Sequence, residues 1–282
     1  MKILTFDIEE WFHILDYSSL GNTKEWSNYE SRIEANMEII FEIMKGSNVS
    51  ATFFVIGWIA DKYPNIIKKI SNLGFEIGSH SHFHQLSYEL DRNAFYNDVK
   101  RSIKSIEDST GKKVKSFRAP GFSITEKNKW AFEALHQLGI EIDCSVFPAK
   151  RAHGGLPKYQ HATPSILKCN GIQLKEFPIN TFNIFKQSVV FSGGGYFRLL
   201  PYSFINIMTK KSNYVMSYFH PRDFDHSQKI LPNLSLARRF KSYIGLKNCR
   251  PKLERWLSDF DFIDLDTANN KVDWEAAPVI NL

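Results

Sequence analysis

Residues 51–84, ATFFVIGWIADKYPNIIKKISNLGFEIGSHSHFH, contain the alternation of elements from which the fold class is predicted. An apolar run at 51–56, rich in aromatic and β-branched residues, predicts a buried strand, and the run at 75–79 predicts another. Residues 64–73 between them have helical periodicity, with Pro64 suited to a first helical turn and Gly74 suited to a C-terminal stop. A strand, a helix and a strand in this order predict parallel strands joined by a crossover helix.

The same alternation continues on both sides of this stretch. Strands are predicted at residues 2–6, 51–56, 75–79, 115–119, 140–145, 173–177 and 214–219. Helices are predicted at residues 29–44, 64–73, 92–109 and 127–138. This order predicts an α/β fold, a distorted (β/α) barrel, closed or partly closed, with about seven parallel strands. We predict a single domain over residues 1–282, with a core to about residue 225 and a C-terminal helical extension over about 226–282. After residue 177 the sequence predicts a loop at 192–196, further helices at 201–211, 236–246 and 251–258, and a final short strand at 260–265.

Composition restricts the class of protein. With 43% hydrophobic residues, the 282-residue chain can bury a full core. Its first twelve residues lack the apolar centre of a signal peptide, and no later run approaches the roughly 18 apolar residues of a membrane span. Three scattered cysteines without metal-ligand spacing are typical of a reducing compartment. We therefore expect a cytoplasmic protein.

The charge of the chain favours anionic partners. The net charge is +6 and the pI is near 9.0. Candidate basic patches are Lys112, Lys113 and Lys115, and Arg238, Arg239 and Lys241. Because no nucleic-acid-binding motif accompanies them, we expect no nucleic-acid partner. Peripheral contact with the inner face of a membrane, or with a lipid phosphate, stays open.

Five polar side chains lie at or near the ends of five different predicted strands. These are Asp7, His80, Arg118, Asp143 and His220. In parallel α/β folds the loops that follow the strands converge at one end of the sheet. The five side chains are therefore expected to share one site.

A cluster of histidines follows the third predicted strand. His80 and His84 are four residues apart, so on a helical turn they would share one face and could bind one metal ion, while His82 would point away. A catalytic zinc site usually has three protein ligands and one open position, so a third ligand is needed. The pair therefore predicts a divalent metal site completed by a carboxylate.

Three carboxylates near the N-terminus are candidates for that third ligand. Along an extended strand Asp7 and Glu9 project to one side, whereas Glu10 projects to the other. Asp7 and Glu9 can thus both face the site, one as ligand and one as proton acceptor. A bulge could instead bring Glu10 inward, so the third ligand stays open at this point.

Taken together, these residues resemble the polysaccharide deacetylase family, also called the NodB-homology domain or carbohydrate esterase family four. The matching motifs, in chain order, are TFD (5–7), ATFFVIG (51–57), HSHFH (80–84), RAPG (118–121), DCS (143–145) and YFH (218–220). The chain is most similar to a cytoplasmic branch associated with bacterial exopolysaccharide and O-antigen synthesis. The segments that carry this second resemblance are DIEEWF (7–12), GGGYFRLLPY (193–202) and HP (220–221). The family has two adjacent aspartates where this chain has Asp7 and Ile8.

The resemblance implies metal-dependent hydrolysis of the N-acetyl amide of a sugar, with release of acetate. The substrate would be a bacterial polysaccharide or its biosynthetic intermediate, with a lipid carrier as one option. The expected ion is Zn²⁺, held by His80, His84 and Glu9. Asp7 would act as the base and His220 would protonate the leaving amine.

The remaining site residues have supporting roles in this interpretation. Arg118 would pair with Asp7, and Asp143 would pair with His220. The backbone after Pro120, near Gly121 and Phe122, would donate an N–H to the oxyanion. Aromatic side chains would form a wall for the sugar ring, namely Trp11, Trp58, Phe122 and Tyr196.

Three other functions fit parts of the sequence. A related metal-dependent enzyme could hydrolyse a small linear or cyclic amide. A non-catalytic carbohydrate-binding barrel would lack a metal and a base. A thiol nucleophile at Cys144 is less compatible with the pattern, because Cys144 should point away from Asp143 on the same strand.

Overall fold

The computed structural model of the protein describes residues 1–15, 23–151, 153–184, 187–231 and 234–282. Its strands are β1 (Lys2–Ile3), β2 (Thr5–Ile8), β3 (Thr52–Val55), β4 (Glu76–Ser79), β5 (Ser116–Phe117), β6 (Ile142–Asp143), β7 (Ser165–Cys169), β8 (Ile172–Glu176), β9 (Phe182–Ile184), β10 (Gln187–Val189), β11 (Val215–Met216) and β12 (Val279–Asn281). The largest sheet has the order β12-β7-β8-β6-β5-β4-β3-β2. Its pairs are parallel, except for the antiparallel pair of β7 and β8.

Each of the seven predicted strands has a counterpart in the structure. The counterparts are β1 with β2, β3, β4, β5, β6, β8 and β11. The predicted α/β fold with a parallel sheet is therefore confirmed. Closure into a barrel and the division near residue 225 stay predictions.

The register of the sheet places polar residues at one level. Ile8 pairs with Val55, Val55 with Ser79, and Ser79 with Phe117. Glu9, His80 and Arg118 follow this row directly. On the other side of β2, Phe6 bridges Phe219 in parallel and Asp7 N donates to Phe219 O at 2.7 Å. This pairing places His220 beside the same end of the sheet.

The described residues form ten α-helices. They are α1 (Ile33–Gly46), α2 (Gly57–Lys62), α3 (Pro64–Asn72), α4 (Arg92–Thr110), α5 (Trp130–Gln137), α6 (Gly194–Leu199), α7 (Tyr202–Lys211), α8 (Leu236–Tyr243), α9 (Leu246–Asp259) and α10 (Leu265–Lys271). In α4 the side chain of Asp91 accepts from Ala94 N at the first turn, and Gly111 ends the helix with φ +67°. No helix in the described ranges is long and apolar enough to cross a bilayer.

Side chains of β2 alternate between the core and the site. Phe6 stacks on Phe53 with ring centroids 5.1 Å apart, inside the main apolar cluster. Thr5 and Asp7 project from the opposite face and are also buried. The strand therefore anchors itself in the core through Phe6 while it presents Asp7 to the site.

The structure differs from the sequence-based expectation in three segments. Asn170 and Gly171, both with positive φ, join β7 and β8 in a tight hairpin that was not predicted, although Asn-Gly is a strong hairpin signal. Residues 192–196 were predicted as a loop, but α6 begins at Gly194. Residues 260–265 were predicted as a strand, but only Ile263 forms a bridge, to Ile3, within that segment.

Glu76 is a half-buried residue whose carboxyl links the sheet to the C-terminal segment. Its Oε2 accepts from Thr52 Oγ1 at 2.6 Å and from Asp266 N at 2.9 Å. Burial raises the pKa of Glu76 to about 7, although these hydrogen bonds act in the opposite direction. Because this folded-state pKa lies above the unfolded value, the stabilisation is present below about pH 4.5 and is lost as the pH rises through about 7.

Glu76→Gln is expected to change this pH dependence. The free energy of unfolding of wild type should fall by on the order of 2–3 kcal/mol from pH 5 to pH 8 because Glu76 ionises. The variant should not show this fall. Urea unfolding at both pH values measures the difference. Glu275→Gln, at an exposed position, is the matched control and should follow wild type. Parallel pH profiles for wild type and Glu76→Gln would contradict the assignment.

Candidate active site

Glu9, His80 and His84 converge at the end of the sheet. One ligand atom from each lies within 4.8 Å of the other two, and all three residues are buried. Glu9 follows β2 and His80 follows β4, so the parallel sheet itself brings them together. This donor set, two imidazoles and a carboxylate, is one that binds zinc in hydrolases.

The two imidazoles are brought together by a bend and not by the helical turn that their spacing suggests. Residues 80–84 form a bend, in which Ser81 and His84 have left-handed φ angles of 65° and 53°. The ring centroids of His80 and His84 lie 5.2 Å apart, and Ser81 Oγ accepts from His84 N at 3.0 Å. The expected helical turn is therefore wrong, because two left-handed residues fold the chain back instead.

His82 points away from this cluster and lies under α2. A Cβ atom added to Gly57 would lie 2.4 Å from His82 Nδ1, so the helix approaches the ring closely. Asp98 on α4 accepts from the backbone N–H groups of His82 and Phe83 at 2.7 and 3.1 Å. These contacts hold the bend in place from outside the site.

His80 has the tautomer that a metal ligand needs. Its Nδ1 lies 2.7 Å from the carbonyl oxygen of Arg118, and because a carbonyl only accepts, Nδ1–H must donate. The lone pair of Nε2 is then left for a metal ion, as in many zinc sites. Burial lowers the pKa of His80 to about 4, against the opposing effect of Asp7. The ring is therefore neutral at neutral pH.

The structure distinguishes the two neighbouring glutamates. Glu10 Oε1 accepts from Ser31 Oγ, Arg32 N and Ile33 N, so this side chain anchors the start of α1. Glu9 Oε2 instead lies 2.7 Å from His84 Nε2. It is buried and has no well-directed hydrogen bond within the described ranges. Such an orphaned carboxylate oxygen beside imidazole nitrogens fits a bound divalent cation.

Glu9→Gln is expected to weaken the binding of a divalent metal ion, measured with Zn²⁺ as the probe, while the fold is kept. The loss of affinity should exceed the roughly 10–100-fold that is typical when an outer-shell partner is removed. Competition with a chromophoric zinc chelator measures it. Glu10→Gln is the matched control and should retain zinc affinity but lose stability at α1. The reverse order of zinc affinities would exclude Glu9 as the third ligand.

Asp7 is held by a fully buried arginine. Arg118 Nη1 donates to Asp7 Oδ1 at 2.7 Å and to Thr5 Oγ1 at 2.6 Å. The guanidinium also lies over the Phe54 ring, 4.3 Å from its centroid. Arg118 therefore fixes one oxygen of Asp7 and leaves Oδ2 directed toward His220 at 3.9 Å.

His220 is placed between the carboxylates and a second ion pair. Its Nε2 lies 3.8 Å from Glu9 Oε1, and its Nδ1 lies 3.1 Å from Asp223 Oδ2. Asp223 Oδ1 lies 3.0 Å from Arg198 Nε. Burial lowers the pKa of His220, but Glu9, Asp223 and Asp7 outweigh it and raise the pKa to about 9. The ring can therefore carry a proton at neutral pH.

The predicted pairing of His220 with Asp143 is wrong. Asp143 accepts from Ser145 N and Ser145 Oγ, at 3.0 and 2.7 Å, and lies beside Glu176. Asp223, only three residues after His220, closes a short 3₁₀ turn and reaches both the backbone N–H and the ring of His220. The His-Pro-x-Asp spacing of this turn is the signal in the sequence that could have identified Asp223.

The predicted sugar-binding wall is only partly exposed. Trp11 is 5% exposed, its Nε1 donates to Glu30 O, and its ring packs edge-on against Phe12 and Tyr29. Trp11 is therefore a packing residue, which corrects the prediction. Tyr196 is 43% exposed and can contact a ligand.

The segment after Arg118 forms a tight turn at the site. Pro120 and Phe122 are buried, and Phe122 N donates to Ala119 O at 3.0 Å, so that N–H is not available for an oxyanion. Gly121 has φ +60°, and a Cβ there would lie 2.6 Å from Leu15 Cδ1. The Gly121 N–H stays a predicted oxyanion donor.

The thiol of Cys144 is a poor nucleophile in this environment. The residue is fully buried, and burial raises its pKa well above the usual value. A thiolate is the reactive form of cysteine. The structure therefore argues against cysteine chemistry.

Two family sequence models match the chain. The model of the polysaccharide deacetylase family matches residues 20–142, and that of a domain of unknown function, DUF3473, matches residues 144–270. Residues 20–142 thus match the polysaccharide deacetylase family, and the predicted resemblance to that family is confirmed. The cytoplasmic branch stays a prediction.

Curated relatives with similar sequences are deacetylases of peptidoglycan. The chain is 35% identical to a peptidoglycan-N-acetylglucosamine deacetylase of Bacillus cereus over 95 residues, which cover 33% of this chain and 34% of that protein. It is 31% identical to a peptidoglycan-N-acetylglucosamine deacetylase of Listeria monocytogenes over 103 residues, which cover 36% and 21%. The chain matches at most about a third of the length of these relatives.

Solved structures share the fold. A structure from Mycobacterium smegmatis, assigned as a polysaccharide deacetylase, matches with a TM-score of 0.67 at 16% identity, covering 99% of this chain and 92% of that one. A carbohydrate esterase family four pseudoenzyme from Bacillus anthracis matches with a TM-score of 0.52 at 12% identity, covering 100% and 69%. At these identities the likeness concerns the fold alone.

Proposed function

We propose that this protein is a metal-dependent N-deacetylase that hydrolyses the acetamido group of a sugar in a bacterial polysaccharide or its biosynthetic intermediate. The observation that carries the proposal is the Glu9–His80–His84 cluster with Asp7 and His220 beside it. The family match and the acetylated sugars named for the curated relatives support it. The products are acetate and a free amine on the sugar.

The metal site would be formed by Glu9, His80 and His84. When bound, a divalent cation, which we propose to be Zn²⁺, would polarise the acetyl carbonyl and make a neighbouring water more acidic. Asp7 Oδ2 would take a proton from that water as its oxygen attacks the carbonyl carbon. Arg118 holds the other oxygen of Asp7, so the carboxylate is aimed before the substrate arrives.

His220 would complete the reaction as the acid. Its side chain is 24% exposed, so it lies where the buried site opens. As the carbon–nitrogen bond breaks, Nε2–H would donate its proton to the leaving nitrogen. Asp223 accepts from Nδ1–H and keeps the ring oriented during this transfer.

We also propose that the protein acts in the cytoplasm on precursors of exopolysaccharide or O-antigen. Its three cysteines are free and buried, which is compatible with a reducing compartment. Fractionation of cells that express the tagged full-length protein tests this location.

Acetate release is the decisive assay for the reaction. Purified protein is incubated with N-acetylglucosamine oligomers and with small linear and cyclic amides, before and after treatment with a chelator. We expect acetate release from the sugars alone, its loss on chelation and its return with Zn²⁺. Preference for the small amides would favour the related amidase, and sugar binding without acetate release would favour a carbohydrate-binding barrel.

A further inference from the structure

Helix α8 lies on the surface, and each of its residues is at least partly exposed. None of the residues in Leu236–Tyr243 is buried, and Leu236 and Phe240 are 85% and 54% exposed. These two side chains are four residues apart, so they project from one face of the helix. Contiguous exposed apolar surface of this kind is typical of an interaction site.

Further exposed apolar residues lie around this helix. Five of the nine large apolar side chains that are exposed in the described ranges belong to α6, α8 and the segment before α8, namely Tyr196, Leu199, Ile230, Leu236 and Phe240. Helix α6 packs against α8. Leu231 N donates to Tyr243 Oη at 2.9 Å, which ties the segment containing Ile230 to α8. We call Leu199, Ile230, Leu236 and Phe240, together with Arg239 and Lys241, the α8 surface.

Positive charge is concentrated in the same part of the chain. Residues 226–253 contain seven Lys and Arg and no Asp or Glu, whereas the rest of the chain has 29 Lys and Arg against 30 Asp and Glu. The positive net charge therefore arises from this one segment. Arg250 and Lys229 have carboxylate partners. Arg239 and Lys241 are exposed and form no ion pair in the part of the chain that the structure describes.

The arrangement of charge around α8 points to one class of partner. At 100° per residue, Arg239 and Lys241 fall on either side of the face that carries Leu236 and Phe240. An apolar face flanked by cations is the pattern of helices that lie in a membrane interface. A nucleic acid could pair with the cations, but its charged backbone offers little apolar surface to cover Leu236 and Phe240.

We propose that the α8 surface binds to anionic phospholipid membranes. Leu236 and Phe240 enter the boundary between headgroups and acyl chains, and Arg239 and Lys241 pair with lipid phosphates. This inference concerns binding and goes beyond the proposed reaction, since it needs neither the metal nor a sugar substrate.

The α8 surface is connected to the candidate active site through one side chain. Arg198 Nη1 donates to Ser242 O and Ile244 O, at 3.1 and 2.9 Å, at the end of α8. The Nε atom of the same guanidinium lies 3.0 Å from Asp223, which contacts His220. Arg198 therefore links the helix proposed to bind the membrane to the carboxylate that contacts His220.

Vesicle flotation of the full-length protein tests the proposal. The vesicles contain phosphatidylcholine alone or with phosphatidylglycerol, and no substrate is added. We expect retention on the anionic vesicles only, and at least about tenfold weaker binding for the double variant Leu236→Ser/Phe240→Ser. Arg239→Glu/Lys241→Glu should also lose retention. Leu73→Ser is the matched control, since Leu73 is 52% exposed on another helix, and it should bind as wild type does.

Three results would overturn the membrane assignment. The first is a wild-type protein that does not float with anionic vesicles. The second is unchanged retention of the Leu236→Ser/Phe240→Ser variant, which would leave charge alone as the cause of binding. The third is conversion of a dimer to a monomer by this variant without a change in flotation, which would make the α8 surface a contact between copies. Urea unfolding should be unchanged in this variant, because both side chains are exposed.

Discussion

Asp7→Asn is expected to lower the rate of acetate release by about two to four orders of magnitude, the usual contribution of a general base. An amide cannot accept the proton that the carboxylate takes from water. Zinc affinity should be retained, because Glu9 and the two imidazoles are unchanged. Steady-state acetate release and zinc competition, measured on the same preparation, separate these effects.

Stability must be controlled in this experiment, because Arg118 is completely buried. Removing the negative charge of Asp7 leaves a buried guanidinium uncompensated, which typically costs about 3–5 kcal/mol. Asp7→Asn/Arg118→Met removes both charges and should recover much of that stability without recovering activity. An active double variant, or an active Asp7→Asn, would exclude Asp7 as the base.

His220→Ala is expected to reduce amide hydrolysis by about two to four orders of magnitude with zinc still bound. The effect should depend on the leaving group, because the proposed role of His220 is to protonate it. The nitrophenolate of a nitrophenyl acetate leaves without protonation. The variant should therefore hydrolyse this ester at close to the wild-type rate. Equal losses on the amide and the ester would show that His220 is not the acid.

A pair of aspartate variants shows which carboxylate supports His220. Asp223→Asn should lower kcat on the amide more than on the nitrophenyl ester, because Asp223 contacts the His220 ring. Asp143→Asn should have similar effects on both substrates, because Asp143 bonds to Ser145 instead. A leaving-group-dependent loss in Asp143→Asn alone would restore the original pairing.

The overall fold was predictable because its determinants are local. Apolar runs, helical periodicity and terminal Gly or Pro residues define each strand and helix, as in the segment from β3 through α3 to β4. Parallel topology then places the ends of several strands in one region, which is why Asp7, His80 and Arg118 were expected together. Strand alternation also favoured Glu9 over Glu10 as the third ligand, although a bulge left that choice open.

Details that depend on loop conformation were not predictable in this way. The spacing of His80 and His84 suggested a helical turn, whereas the bend depends on left-handed angles at Ser81 and His84 that no residue type requires. The partner of His220 depends on the 3₁₀ turn that follows it, which brings Asp223 rather than Asp143 into contact with the ring. The exposure of Leu236 and Phe240 depends on which faces of α8 are covered by the rest of the chain.

The proposed catalytic groups are also divided between the two matched segments. His80, His84 and Arg118 lie in the segment matched by the deacetylase family, whereas Arg198, His220 and Asp223 lie in the segment of unknown function. Asp7 and Glu9 precede both segments. Backbone hydrogen bonds from Ser217 and Phe219 join the second segment to β1 and β2, and β2 in turn pairs with β3 of the first segment. Neither segment contains a complete set of the proposed catalytic groups. Under the proposed mechanism both segments supply groups to one reaction, so exchanging either segment between homologues should preserve activity only when its counterpart is exchanged with it.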